Sequence, residues 1–128
     1  KINSPITTIP GIGNTIAATI LGEIGDINRF SSGSKLVAYA GLDAEISQSG
    51  EYESTYNKMS KRGSPYLRKA LFQAAFIASY NDPVFCAYYQ QKRAEGKHHK
   101  VAVGAVARKM CHTIHAVLKN NTPYEIKC

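Results

Sequence analysis

The chain has 128 residues, enough for one domain with a modest core, and no apolar run in it is long enough to cross a bilayer. Cys86, Cys111 and Cys128 are odd in number and lack Cys-x-x-Cys spacing, which argues against a disulfide scaffold or a zinc site and points to a reducing compartment, the cytoplasm. The net charge of +7 is one-sided: residues 1–57 carry three basic against six acidic side chains, residues 58–128 thirteen against three, so a polyanion is the expected partner and a membrane is not. The sequence begins at Lys1 without an initiator Met or a signal peptide, so a piece of a longer protein is expected, with residues 1–128 forming a single domain.

In chain order, Ile9-Pro10-Gly11-Ile12-Gly13 comes first. Pro10 sets a turn and the two glycines free the backbone for a tight hairpin. Asn14 is the expected cap of a helix over residues 14–24, with Ile16, Ala17, Ile20, Leu21 and Ile24 at helical spacing. A Gly-rich hairpin opening onto a helix presents free N–H groups and a positive dipole end, a ready contact for a phosphate. It resembles the second half of a helix-hairpin-helix element, which makes Gly11, Gly13 and Asn14 candidate nucleic-acid contacts. A plain αα corner is the other reading of the same residues.

A short helix over residues 34–40 follows Ser31-Ser32-Gly33-Ser34 and closes at Gly41. Residues 42–56 are polar and without sustained period. The segment 42–58 is therefore expected to be one irregular loop or a short β-hairpin turning at Gln48-Ser49-Gly50. Ser64-Pro65 is a cap followed by proline at the first helical position, and predicts a helix to about residue 80. Its expected buried stripe is Leu67, Ala70, Leu71, Ala74, Ala75, Ile77 and Ala78. Asn81-Asp82-Pro83 breaks it before a helix over 84–95. After Gly96 a last helix over 100–119 carries Val101, Ala105, Met110, Ile114, Val117 and Leu118 on one side, ending at Asn120-Asn121-Thr122-Pro123. The expected fold is a mostly α, compact helical domain with a helix-hairpin-helix-like N-terminal element.

Lys61, Arg62, Arg68 and Lys69, with Lys58 just upstream, surround the helix start at Ser64. Positive charge opposes the dipole there unless an anion binds, so these residues are candidate phosphate contacts, with Gly63 allowing close backbone approach. A second basic run, Lys92-Arg93 and Lys97-His98-His99-Lys100, lies between the last two helices, and Arg108, Lys109 and His112 extend it. Lys97 and Lys100 are its candidate backbone contacts, a solvated face being the plainer reading. Two adjacent histidines cannot both face one metal from a helix, and no metal or other cofactor is expected. Two hydroxyls could act as nucleophiles. Tyr66 has cationic neighbours, and Ser49 stands on a small turn that a phosphodiester can reach, although a serine in a Ser-rich loop is ordinarily a turn residue.

Together these pieces resemble the C-terminal transposase domain of the Piv/MooV-type insertion-sequence transposases, the DEDD recombinases guided by a bridge RNA. The likeness rests on Ile9-Pro10-Gly11-Ile12-Gly13 with its helix, residues 30–42 ending Tyr39-Ala40-Gly41-Leu42, Gln48-Ser49-Gly50, and Ser60-Lys61-Arg62-Gly63-Ser64-Pro65-Tyr66-Leu67-Arg68 leading into Ala74-Ala75. It covers about residues 4–119, with Ala44 standing where the family often has proline. The resemblance implies that Ser49 attacks a DNA phosphodiester and forms a phosphoserine-DNA intermediate resolved by strand exchange. It also implies Mg²⁺ held by four acidic residues in an N-terminal RuvC-like domain missing from this chain. Without that domain the chain should bind nucleic acid but not cleave it. The implied partners are DNA, a guide RNA, the RuvC-like domain and further copies of the protein. A non-catalytic helix-hairpin-helix module for binding nucleic acid is the alternative.

Overall fold

The computed structural model of the chain describes residues 3–42 and 63–125. Ser49, Lys58, Lys61 and Arg62, and the suggested β-hairpin, lie outside the described residues. Among the described residues the fold is helical, without a strand. A 3-10 turn at Pro5–Thr8 leads to α1 (Asn14–Ile24), and a second at Ile27–Arg29 leads to α2 (Gly33–Tyr39). The rest of the fold is α3 (Pro65–Asn81), α4 (Pro83–Ala94) and α5 (His99–Asn120).

Local chemistry sets most of these boundaries. The Ser64 hydroxyl accepts the Leu67 N–H at 3.0 Å, and Pro65 follows at the position where no N–H is needed. Asp82 serves two helices. Its N–H closes α3 on the Ala78 carbonyl, while its buried carboxylate accepts the Val84 and Phe85 N–H groups at 3.0 and 2.9 Å to start α4. Gly96, at φ +90°, ends α4 by sending its own N–H to Arg93 and that of Lys97 to Lys92, a paired closure that needs a left-handed residue. Asn121 takes the same role after α5, at φ 53°.

The core forms around α5, whose 22 residues extend about 33 Å. Its stretch Ala102-Val103-Gly104-Ala105-Val106-Ala107 is buried throughout, since small side chains let neighbours approach from several directions. Helices α2, α3 and α4 pack on it, and α1 and α4 pack on α3. Gly33, at the start of α2, lies so close to the His112 ring of α5 that a Cβ would have no room there. Cys111 is fully enclosed, and burial pushes its thiol up to about 12, so it packs as a small apolar group.

Two expectations need correction. Asn14 is the first residue of α1 and not its cap. Gly13 occupies the cap position, and no side chain bonds the helix start. Ile77 does not belong to the buried stripe of α3; it is 38% exposed.

Candidate nucleic-acid interface

The turn before α1 is held from below. Gly11 adopts φ +89° and lies directly on the Ala74 carbonyl and Ala78 amide of α3, leaving no space for a side chain. Ile12 is buried beside it, its N–H bonded to the Ile9 carbonyl at 3.1 Å. Gly13, Asn14 and Thr15 are exposed, and nothing stands within 4 Å of a Cβ built on Gly13. The first N–H with a partner in the helix is that of Ala17, on the Gly13 carbonyl at 2.9 Å. The N–H groups of Asn14, Thr15 and Ile16 cannot be satisfied within the helix, and neither a side-chain cap nor an acidic residue occupies the first turn. Three backbone donors and a positive dipole end are thus offered at an open surface, the geometry that takes a phosphate.

The start of α3 is built differently. Pro65 brings no N–H and Leu67 gives its own to Ser64, so Tyr66 retains the one N–H of the first turn that neither proline nor cap removes. The Ser64 hydroxyl in turn donates to Glu23 Oε1 of α1 at 2.5 Å. A carboxylate from the same fold therefore faces the positive end of α3, where sequence reasoning places a bound anion. Glu23 and Ser64 are 41 positions apart, and no local pattern announces the pair. Arg68 is half-buried and Lys69 exposed.

Gly63 brings this helix start against α2. Its backbone lies on the Tyr39 carbonyl with no room for a Cβ, and the Ser64 N–H bonds that carbonyl at 3.0 Å. Close approach at Gly63 thus serves the Tyr39 backbone. On the other side, Leu42 N–H bonds the Val37 carbonyl at 3.0 Å, and the Leu42 carbonyl accepts from Arg108 Nη1 at 3.3 Å. Leu42 and Gly63, the described residues on either side of positions 43–62, therefore both lie against the C-terminal end of α2.

The α4–α5 junction keeps part of its charge for itself. Lys92 pairs with Glu95 at 3.5 Å, Arg93 bonds the Lys97 carbonyl, and Lys92 and Lys109 both approach the Tyr88 ring at about 5 Å. His98 caps α5 through Nδ1, and His99 Nδ1 meets the Tyr89 hydroxyl at 2.7 Å. Lys100 is exposed and Lys97 half-buried. Of the proposed extension, Arg108 bonds the Leu42 carbonyl, and His112, though exposed, packs its ring on Gly33. Among the described residues no three His, Cys, Asp or Glu side chains come together as a metal site. No helix there is long and apolar enough to cross a membrane.

One exposed feature went unread in the sequence. Tyr66, Lys69, Gln73, Phe76, Ile77 and Tyr80 form a continuous outward stripe along α3, with Tyr66 and Tyr80 69% and 70% exposed. Their spacing of three, four and seven, with Phe76 and Ile77 side by side, confines them to about 100° of the helix surface.

Residues 3–90 match the Transposase IS116/IS110/IS902 family. The chain is 36% identical over 124 residues to the insertion element IS110 uncharacterized 43.6 kDa protein of Streptomyces coelicolor, covering 95% of this chain and 30% of that protein. It is 34% identical over 123 residues to the pilin gene-inverting protein of Moraxella bovis, covering 95% and 38%. With the insertion element IS900 uncharacterized 42 kDa protein of Mycobacterium paratuberculosis it shares 32% over 120 residues, covering 93% and 30%. The chain thus spans about a third of the length of these relatives. The matched region takes in the uncapped α1 start, Leu42 and Gly63 against α2, and all of α3. This chain belongs to the IS116/IS110/IS902 family of transposases.

Proposed function

We propose that the chain is the serine-bearing, DNA-gripping domain of an insertion-sequence recombinase of the bridge-RNA-guided Piv/MooV type. Ser49 is the nucleophile. Its Oγ bonds to phosphorus as a bond from phosphorus to a sugar oxygen breaks, the proton passing from the serine to solvent and the sugar oxygen leaving as a hydroxyl. One phosphodiester replaces another, so the energy of the strand linkage is retained in the phosphoserine ester for rejoining. Oriented N–H donors and cations help by meeting the charge that grows on the phosphoryl oxygens. The backbone donors at Asn14, Thr15 and Ile16 suit that grip, with Gly11 and Gly13 shaping the turn. Lys58, Lys61, Arg62, Arg68, Lys69, Lys97 and Lys100 steer and hold the strand.

The Mg²⁺ of the reaction and the four acidic residues that bind it belong, in this reading, to a RuvC-like domain outside the chain. The whole protein acts on DNA in the cytoplasm, with a guide RNA and in several copies. The observation that carries this reading is the match over residues 3–90, because it takes in the Ser49 segment and the anchored frame at Leu42 and Gly63 together.

The test is to incubate the complete transposase with DNA bearing its element ends, quench in denaturant and digest with protease. A peptide joined covalently to DNA through Ser49 is expected. An adduct on another residue, such as Tyr66, would overturn the assignment, and so would cleavage without any adduct.

A further inference from the structure

We infer that the exposed face of α3 is a stacking ledge for unpaired nucleic-acid bases, a role that rests on the nucleic-acid reading above and adds a strand type to it. Four large apolar side chains stand out among the described residues, Tyr66, Phe76, Ile77 and Tyr80, and all four lie on this one helix face. From Tyr66 to Tyr80 the stripe runs about 21 Å along the axis, long enough for several consecutive bases. Its C-terminal half holds a group of rings at steep angles. Phe76 meets Tyr80 edge-on at 5.0 Å between centroids and His99 at 5.8 Å, and His99 meets Tyr89 at 5.7 Å. Between them opens a cavity of about 140 Å³ lined by Phe76, Ser79, Tyr80, Cys86, Tyr89 and His99. That is well below the ~300–1,000 Å³ that receives a drug-sized ligand, and suits a single planar ring.

Charge selects the occupant. α3 carries no acidic residue, Lys69 stands within the stripe, and Lys100 is exposed one position after His99. Asp82, just beyond α3, is buried and spends its carboxylate on capping α4. The buried side of α3 is already occupied, because Gly11 of the N-terminal turn rests on Ala74 and Ala78, about 60–100° round the helix from Ile77. Lysines beside outward-facing rings fit a strand whose phosphates lie along one side and whose bases are free to stack. A paired duplex keeps its bases inside and cannot use the rings.

The experiment measures the affinity of this chain for a short oligothymidylate and for a duplex of equal length, in parent and variants. Tyr80→Ala is expected to weaken single-strand binding about 5- to 100-fold, the range for loss of one stacked base, and to leave duplex binding unchanged. Tyr66→Ala, at the far end of the stripe, provides an independent second variant, and Tyr80→Phe keeps the ring and should bind as the parent does. Equal losses on both probes, or no loss on the single strand, would overturn the ledge while leaving the recombinase reading intact. A Tyr80→Ala variant that changes the oligomeric state instead marks the face as a protein interface, and also overturns it. Binding to neither probe would contradict the nucleic-acid reading itself.

Discussion

Ser49→Ala in the complete transposase is expected to reduce strand exchange by about 10⁴-fold or more, to background, while DNA affinity stays at the parental level. The size follows from the role: a nucleophile cannot be bypassed by better positioning, and removing one from a covalent mechanism typically eliminates most of the catalysis. Affinity survives because the proposed grip comes from elsewhere, from backbone N–H groups of α1 that no side-chain substitution at position 49 removes and from dispersed cations. Gel-based recombination assays and equilibrium binding on the same preparation separate the two quantities. Recombination that persists in the variant would reduce this domain to a module that only docks a larger protein on DNA.

Gly63→Val is the substitution expected to cost the fold most. A Cβ at position 63 would run into the Tyr39 carbonyl, which is itself held by the Ser64 N–H. The obstacle is backbone on both sides, so relief requires α2 and the start of α3 to separate. A penalty of about 2–4 kcal/mol follows, the upper part of the range for overpacking. For a chain this size that lowers the melting temperature by about 10 °C, read by circular dichroism. Gly22→Ala is the control. Nothing lies within 4 Å of a Cβ there, Gly22 is exposed within α1, and the change should stabilise by about 0.5–1 kcal/mol. Equal melting temperatures for the two variants would show that the Gly63–Tyr39 contact does not hold the frame together.

Much of the helical frame was legible because its boundaries are written in short-range chemistry. Ser64-Pro65, Asp82-Pro83 and Gly96 each act within a few residues, and each stands where the pattern places a helix end. Asn14 misled because asparagine is a good cap wherever it can be one. Here the extended backbone needed at a cap falls one residue earlier, on Gly13, which has no side chain to use. Ile77 misled for a different reason. Periodicity locates an apolar arc but not its edges, and Ile77 falls just outside the edge marked by the buried Ala70 and Ala74.

The site was less legible than the fold. A cluster of cations at a helix start reads the same whether the compensating anion is a ligand or a carboxylate from another helix. Only the folded chain brings Glu23 to Ser64. Gly63 likewise reads as room for a ligand, and the fold spends that room on the Tyr39 carbonyl. Lone aromatic residues also carry no sign of direction, so the ledge on α3 emerges only once α1, α4 and α5 are seen to leave one face uncovered.

The most direct test of the central claim, that Ser49 meets the strand linkage to be broken, is disulfide trapping in the assembled transposase. Cys86 and Cys128 are replaced by alanine, Ser49 by cysteine, and the DNA carries, at the phosphate to be cleaved, a tether ending in a mixed disulfide whose small thiol leaves when a cysteine attacks. The account predicts rapid cross-linking at position 49 and slow cross-linking from a control cysteine that replaces Ala116, exposed on α5 and outside the proposed grip. Equal rates at the two positions would contradict it.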